Sequence, residues 1–177
     1  MLSNPPLYGK KVYLSGPIEY DESGFNWRPA VKEQLETRFK LNIFDPFDDP
    51  KQSRADELNT AKENEDYDTV AKIAEDFVHK DLGHVQRCDI LIANLPYRVP
   101  TVGTIHEIIQ SLNQKVPTLL VCTKGKKFLP SWLFGLMKKK HRHFMYGSWD
   151  EMYNYLEEVN DRKHLDERRW AFIYGLV

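Results

Sequence analysis

The chain has 177 residues, of which 41% are hydrophobic and 29% are charged. This length suits one compact domain with a full core, and the composition is ordinary for a soluble globular protein. The formal net charge of -1 at pH 7 argues against a general polyanion binder, whose basic footprint should dominate; the run KKKHRH at 138–143 is a local exception. We expect a single domain over residues 1–177 that does not bind nucleic acid polymers.

The two cysteines and the N-terminal segment indicate where in the cell the protein is expected to be. Cys88 and Cys122 lie beside or within apolar runs and show no metal-ligand spacing, which indicates reduced core thiols. The segment MLSNPPLYGKKVYL lacks the layout of a signal peptide, and no apolar run approaches membrane-spanning length. We therefore expect a cytoplasmic protein with no membrane partner and, since no metal-ligand cluster appears, with neither a metal nor a cofactor.

Short apolar runs alternate along the chain with segments of helical spacing. The first half predicts strand KKVYLSG, helix NWRPAVKEQLETRF, strand LNIFDP, a polar surface insertion at 47–66 and a helix reaching Val85. The second half predicts strand DILIANL, helix TIHEIIQSLNQ, strand PTLLVCT, the helical stretch PSWLFGLMKK, strand HFMY and helix SWDEMYNYLEEVNDR. This alternation predicts an α/β fold, a doubly wound, mostly parallel five-stranded sheet (flavodoxin-like or Rossmann-like) with helices on both faces.

Polar and turn-forming residues stand at the ends of the first three strands. Right-handed crossovers bring the carboxyl ends of parallel strands to one edge, where ligands bind. The residues in question are Ser15, Gly16, Pro17, Asp45 and Asn94. Each alone is as well explained by a turn or a helix cap, but together they predict a substrate-binding edge.

Two carboxylates are the candidate reactive groups. PTVGTIHEIIQS, at 100–111, passes from a loop into a helix and is expected to place Glu107 in its first turn. A carboxylate there is either a favourable partner of the helix dipole or part of a ligand site. Asp81 lies on or beside the apolar stripe of the preceding helix, so it is either solvated at the stripe's edge or directed into the crevice. Two close carboxylates would raise one pKa, as in an acid/base and nucleophile pair.

The order of these motifs resembles a known family. KVYLSGPI, then the aspartate-leucine pair at 81–82 shortly before CDILIANL, then TVGTIHEI, is similar to the nucleoside 2-deoxyribosyltransferases and the related 2′-deoxynucleoside 5′-monophosphate N-glycosidases. The resemblance implies that Glu107 is the nucleophile that forms a covalent 2-deoxyribosyl ester. It implies that Asp81 donates and later accepts a proton, and that Tyr13 holds the nucleophile. Nucleosides or nucleotides and free bases would be the small-molecule partners.

The resemblance also implies an assembly. Subunits of the family complete one another's sites, so a homo-oligomer is expected. The apolar tail RRWAFIYGLV either covers its own core or docks on a neighbouring subunit, and the resemblance favours docking.

The loop residues Thr101 and Gly103, both expected to contact substrate, leave the reaction open. At the position of Thr101 the resembled transferases carry an aspartate that binds the sugar 5′-hydroxyl, and the glycosidases carry a serine that binds phosphate. A neutral hydroxyl tolerates a phosphate that a carboxylate would repel, whereas the spacing from Asp81 and the SGPI motif follow the transferases. We expect transfer of deoxyribose between bases. Hydrolysis of a deoxynucleoside monophosphate is the alternative, and a non-catalytic nucleotide-binding module is a second one.

Overall fold

A computed structural model of the chain describes residues 4–18, 27–99, 102–137 and 144–176. Two segments that the sequence singles out, Thr101 and the basic run at 138–143, lie outside the described residues. Within the described ranges, no helix has both the length and the apolar character needed to cross a membrane.

Five parallel strands form one sheet in the order β2-β1-β3-β4-β5. The strands are β1 (Lys11–Ser15), β2 (Asn42–Phe44), β3 (Ile90–Asn94), β4 (Thr118–Val121) and β5 (Met145–Tyr146). Every residue of β3 and β4 is buried, as expected for central strands of a parallel sheet that is covered on both faces. The predicted doubly wound α/β sheet is confirmed, and all of its described strands are parallel.

The helices cover the sheet in two groups. They are α1 (Trp27–Phe39), α2 (Ala55–Glu63), α3 (Tyr67–Val85), α4 (Val102–Asn113), α5 (Ser131–Leu136) and α6 (Trp149–Asn160). Helix α1 packs with α6, and α3 packs with α4. The crossover through α1 moves from β1 outward to β2, whereas the crossover through α4 moves the opposite way, from β3 to β4. Right-handed crossovers in opposite directions place α1 and α4 on opposite faces of the sheet.

The polar insertion at 47–66 contains a helix that the sequence analysis did not predict. Two 3-10 turns, Pro46–Asp48 and Pro50–Arg54, lead into α2. Most of α2 is exposed, but Leu58 and Ala61 are buried where α2 packs against α3. Few apolar residues stand in this polar stretch, and their periodic signal is weak, which explains why the segment reads as a surface excursion.

The apolar tail folds back onto its own chain. A 3-10 turn at Arg168–Trp170 buries Trp170 completely, and its indole Nε1 donates a hydrogen bond to Tyr155 Oη at 2.8 Å. Ile173 and Tyr174 are also buried, whereas Phe172 is 63% exposed. Of the two interpretations of the tail, the structure therefore supports coverage of its own core for these buried residues.

We expect Trp170→Ala to lower the free energy of unfolding by about 3–5 kcal/mol, because it leaves a large cavity and removes the hydrogen bond to the Tyr155 hydroxyl. Phe172→Ala, in the same tail, is the matched control and should cost less than about 1 kcal/mol. Urea unfolding of both variants measures the difference. Equal losses would contradict the packing described here, and a lower oligomer mass for Phe172→Ala in light scattering would show that the tail also contacts a second subunit.

Candidate active site

The candidate site lies at the carboxyl edge of the sheet, where the strand order reverses. Strand β1 pairs with β2 on one side and with β3 on the other, and Ser15 at its end is in register with Ala93. Asn94 follows at the end of β3. In open α/β sheets such a switch point opens the crevice in which ligands bind, so β1 and β3 bring their terminal polar residues to the same place.

Glu107 is the central side chain of this crevice. It is buried on the sheet-facing side of α4. Tyr13 Oη donates a hydrogen bond to Glu107 Oε1 at 2.7 Å, and Ser15 Oγ donates a short one to Oε2. Because side chains two residues apart on a strand share a face, β1 presents both hydroxyls to one carboxylate. The structure therefore joins three of the predicted site residues.

Two details of the sequence prediction around α4 are wrong. The helix already begins at Val102, so Gly103 lies in its first turn rather than in a loop, and Glu107 lies in the second turn. Gly103 does not have a positive φ, and a Cβ there would meet no atom within 4 Å. The dipole effect fades after the first turn, so it does not account for a carboxylate at position 107.

Burial dominates the electrostatics of Glu107. Loss of solvent raises its pKa to about 7, with a further upward contribution from the charge of Asp81. The hydrogen bonds from Ser15 and Tyr13 and the positive charge of Arg28 act in the opposite direction. Burial, Glu107 and Asp81 also raise the pKa of Tyr13 far above its ordinary value. Tyr13 therefore keeps its proton and serves as a neutral donor to the carboxylate.

Asp81 is half-buried on α3, and its charge acts on both Glu107 and Tyr13. Helix α3 is anchored by aromatic stacking. His84, three residues after Asp81 and thus on the same side of the helix, stacks on Phe44 with ring centroids 3.6 Å apart, and Phe44 stacks on Tyr13 at 5.7 Å. This arrangement turns the Asp81 side of α3 toward the end of β1.

A buried ion pair that sequence reasoning missed lies next to these groups. Arg28 Nη1 is 2.5 Å from Asp45 Oδ1, and the two side chains are only 2% and 3% exposed. The same guanidinium donates to the backbone oxygens of Gly16, at 3.0 Å, and of Leu14, at 3.4 Å. Asp45 also accepts a bond from the backbone N–H of Phe47 at 3.0 Å. Asp45, predicted to bind substrate, is thus held by protein groups.

The sequence did contain a signal for Arg28. It precedes Val31 by three residues and Leu35 by seven, so it falls on the apolar stripe of α1. A charged residue on such a stripe needs a buried partner, as Asp81 on α3 also illustrates.

The remaining predicted residues line the same edge. Gly16 is buried, and a Cβ there would lie 2.8 Å from Trp27 Cζ2, so the close approach of that indole requires glycine. Pro17 is buried beside it. Asn94 is 7% exposed, and its Oδ1 has no hydrogen-bond partner within the described part of the chain. Buried amide oxygens are usually paired, so Asn94 is available to bind a ligand group.

No cluster of three or more His, Cys, Asp or Glu side chains that could hold a metal ion occurs among the described residues. Cys88 and Cys122 are free thiols. Burial raises the pKa of Cys88 to about 12, which keeps it in the unreactive protonated form.

Solved structures of other proteins share this fold. A 2-deoxyribosyltransferase from Bacillus psychrosaccharolyticus superimposes with a TM-score of 0.53 at 16% identity, over 82% of this chain and 91% of its own. A 2-desoxiribosyltransferase from Leishmania mexicana superimposes with a TM-score of 0.52 at 16% identity, over 85% of this chain and 97% of its own. A conserved protein from Enterococcus faecalis V583 superimposes with a TM-score of 0.55 at 17% identity, over 87% of this chain and 99% of its own. At these identities the likeness establishes the fold.

Comparison of the sequence itself identifies the family. No curated protein matches the chain significantly. Residues 12–162 match the family model described as nucleoside 2-deoxyribosyltransferase. This range contains all five strands except Lys11, the first residue of β1, and it includes Tyr13, Ser15, Asp81 and Glu107. The chain belongs to the nucleoside 2-deoxyribosyltransferase family.

Proposed function

We propose that this protein is a nucleoside 2-deoxyribosyltransferase that cleaves the N-glycosidic bond of 2′-deoxynucleosides and transfers the sugar to another base. The observation that carries the proposal is the buried carboxylate of Glu107, with one hydroxyl donor on each oxygen. A carboxylate oxygen has two lone-pair sites. Each oxygen of Glu107 therefore keeps one site with which to attack a sugar carbon.

In the first half of the reaction, Glu107 attacks the anomeric carbon of the deoxyribose. A bond forms between a carboxylate oxygen and C1′ while the bond from C1′ to the base nitrogen breaks, and the electron pair stays on that nitrogen. Asp81, in its protonated form, gives its proton to the departing base, which leaves as a neutral molecule. The products are a deoxyribosyl ester of Glu107, an ionised Asp81 and a free base.

The second half reverses these steps with a different base. A nitrogen of the acceptor attacks C1′, the ester bond breaks, and its electron pair returns to Glu107 as a carboxylate. Asp81 takes the proton from the attacking nitrogen. Two displacements at the same carbon restore the original configuration. Tyr13 and Ser15 hold the carboxylate in one orientation throughout, which reduces the entropy lost in reaching the transition state.

The pKa of Glu107 suits such a role. A pKa of about 7 leaves roughly half of the side chain ionised at pH 7, so the nucleophilic form is populated without being strongly stabilised by charged partners. A carboxylate with weaker stabilisation is more basic and therefore a better nucleophile. Cleavage requires Glu107 to be ionised while Asp81 still carries the proton that it donates, so a larger ionised fraction of Glu107 does not by itself favour cleavage.

The alternative is hydrolysis of a 2′-deoxynucleoside 5′-monophosphate to base and sugar phosphate. Arg98 favours this alternative, because it lies between β3 and α4, three residues before Thr101, and is exposed at the carboxyl edge of the sheet. Its guanidinium stacks over Tyr97 at 4.9 Å from the ring centroid. A guanidinium at this edge, followed three residues later in the sequence by a neutral threonine, would accommodate a phosphate better than the aspartate of the transferases.

One assay separates these reactions. The protein is incubated with each 2′-deoxynucleoside and with its 5′-monophosphate, each with and without a second free base, and the products are separated by chromatography. Transfer predicts a new deoxynucleoside that appears only when the second base is present. Free base and sugar phosphate formed from monophosphates alone would establish the alternative. A folded protein that forms neither product would refute both enzymatic functions and leave a binding module.

Glu107→Gln should lower the rate of glycosidic cleavage by several powers of ten, because an amide cannot form and release the sugar ester. Intact-mass spectrometry gives a second readout. With a deoxynucleoside and no acceptor, the wild-type protein should gain the mass of one deoxyribosyl group, and the variant should not. Glu151→Gln, at an exposed position on α6, is the matched control. An adduct of equal yield in Glu107→Gln would rule out this residue as the nucleophile.

Asp81→Asn should affect substrates according to their leaving group. A base that needs a proton as it departs should react far more slowly in the variant, whereas an activated aryl 2-deoxyriboside, which departs as a stable anion, should lose little. The comparison is the ratio of kcat/KM values for the two substrates in variant and wild type. Equal losses on both substrates would show that Asp81 positions groups and does not donate the proton.

A further inference from the structure

We propose that the buried ion pair of Arg28 and Asp45 positions the nucleophile by fixing the backbone on both sides of Ser15. The inference deepens the proposed function and rests on Glu107 as the reacting group. Arg28 and Asp45 act through Ser15, so they are positioning residues.

The hydrogen bonds of Arg28 bracket Ser15. The guanidinium donates to the carbonyl oxygen of Leu14, immediately before Ser15, and to that of Gly16, immediately after it. Ser15 in turn donates from its hydroxyl to Glu107 Oε2. A planar guanidinium directs several N–H groups in fixed directions, so one side chain can fix the two peptide groups that determine where the Ser15 hydroxyl points.

Asp45 fixes the guanidinium from the other side. Its Oδ1 lies 2.5 Å from Arg28 Nη1, and the same oxygen accepts a bond from the Phe47 backbone N–H at the start of the turn after β2. The carboxylate is thus anchored to the end of one strand, and the guanidinium to the end of the neighbouring strand. The ion pair therefore links the end of β2 to the backbone at the end of β1 and holds the two in a fixed relative position.

Two stacked tryptophans cover the ion pair. The guanidinium carbon of Arg28 lies 4.7 Å from the ring centroid of Trp27, and Trp27 stacks on Trp149 of α6 with centroids 5.2 Å apart and an interplanar angle of 15°. The Trp27 indole also lies against Gly16. Because the side chains of the ion pair are almost fully enclosed, little water competes for the hydrogen bonds of the guanidinium, which favours one geometry.

The ion pair also acts on Glu107 through its charges. Among the described residues, the ionisable groups that act on Glu107 are Tyr13 from β1, Asp81 from α3 and Arg28 from α1. Asp81 raises the pKa of Glu107, and Arg28 lowers it. The adjacent Asp45 offsets much of the Arg28 charge, because opposite charges in contact leave a weak field at a distance. Removing the charge of Asp45 alone should therefore expose Glu107 to the full field of Arg28.

Two variants separate positioning from charge. Arg28→Lys keeps the positive charge, but a single ammonium cannot hold both carbonyls and Asp45 with the same geometry. Its kcat should fall roughly ten- to a hundredfold, with KM changed far less, because the carboxylate is no longer aligned. Asp45→Asn keeps the shape and the acceptor for Phe47 but removes the charge. The titration midpoint of Glu107 should then fall by on the order of one pH unit.

The midpoint is measured without substrate, by carbon-13 NMR of the glutamate side-chain carboxyls, with Glu107 assigned from the signal that Glu107→Gln removes. We expect a wild-type midpoint near the pKa of about 7 and an unchanged midpoint in Arg28→Lys. Lys32→Met is the matched control, since Lys32 stands four residues further along α1 and forms an exposed ion pair with Asp48 at 2.8 Å. It should leave both kcat and the midpoint unchanged.

The outcomes are distinct. Wild-type kcat in Arg28→Lys, or a midpoint that stays or rises in Asp45→Asn, overturns the proposal. If the wild-type protein turns over no nucleoside or nucleotide, the proposed function fails, and the NMR midpoints still decide whether the ion pair acts on Glu107. Thermal unfolding of each variant checks that the chain is folded at the temperature of measurement.

Discussion

The site depends on the buried carboxylate of Glu107, to which no cation is directly bonded among the described residues. Glu107 contacts two neutral hydroxyls, and loss of solvent raises its pKa from 4.5 to about 7. A raised folded-state pKa means that the protonated form is favoured by folding, so this stabilisation is complete below about pH 4.5 and is lost as the pH rises through about 7. The loss is on the order of 3 kcal/mol. At neutral pH, where Glu107 is ionised for part of the time, the folded state is therefore less stable than it is at low pH with respect to this group.

Asp45 shows the other way to bury an acid. Its carboxylate lies against the guanidinium of Arg28, and both are almost fully enclosed. A carboxylate in contact with a cation is stabilised as an anion, which suits a fixed structural group and not a nucleophile. The two buried acids thus have different partners: Asp45 is paired with a guanidinium, and Glu107 accepts hydrogen bonds from two hydroxyls. If the two acids exchanged partners, Asp45 would no longer be suited to a structural role, and Glu107 would no longer be suited to the proposed role of nucleophile.

The sheet could be predicted from the sequence because each strand has a strong local signal, such as the run DILIANL between polar flanks. The meeting of Tyr13 and Glu107 could not be derived from spacing, since it joins positions 94 residues apart, and it came from the resemblance to a family. Arg28 was missed although its spacing marked it as buried. The start of α4 was misplaced because Gly103 suggests a turn, and tertiary packing overrode that local preference.

In the proposed scheme the groups around Glu107 carry out bond cleavage, and they would serve transfer and hydrolysis equally. Both reactions in the proposed scheme pass through a sugar ester, and they differ in whether a base or water attacks it. Neither Tyr13 nor Ser15 distinguishes these attackers, because both contact the carboxylate and not the incoming group. Selectivity must therefore come from groups that contact the 5′ position and the base. Arg98 and Asn94 lie at the edge where those parts of a nucleoside would rest, so substrate choice can change while the carboxylate and its hydroxyl donors stay the same.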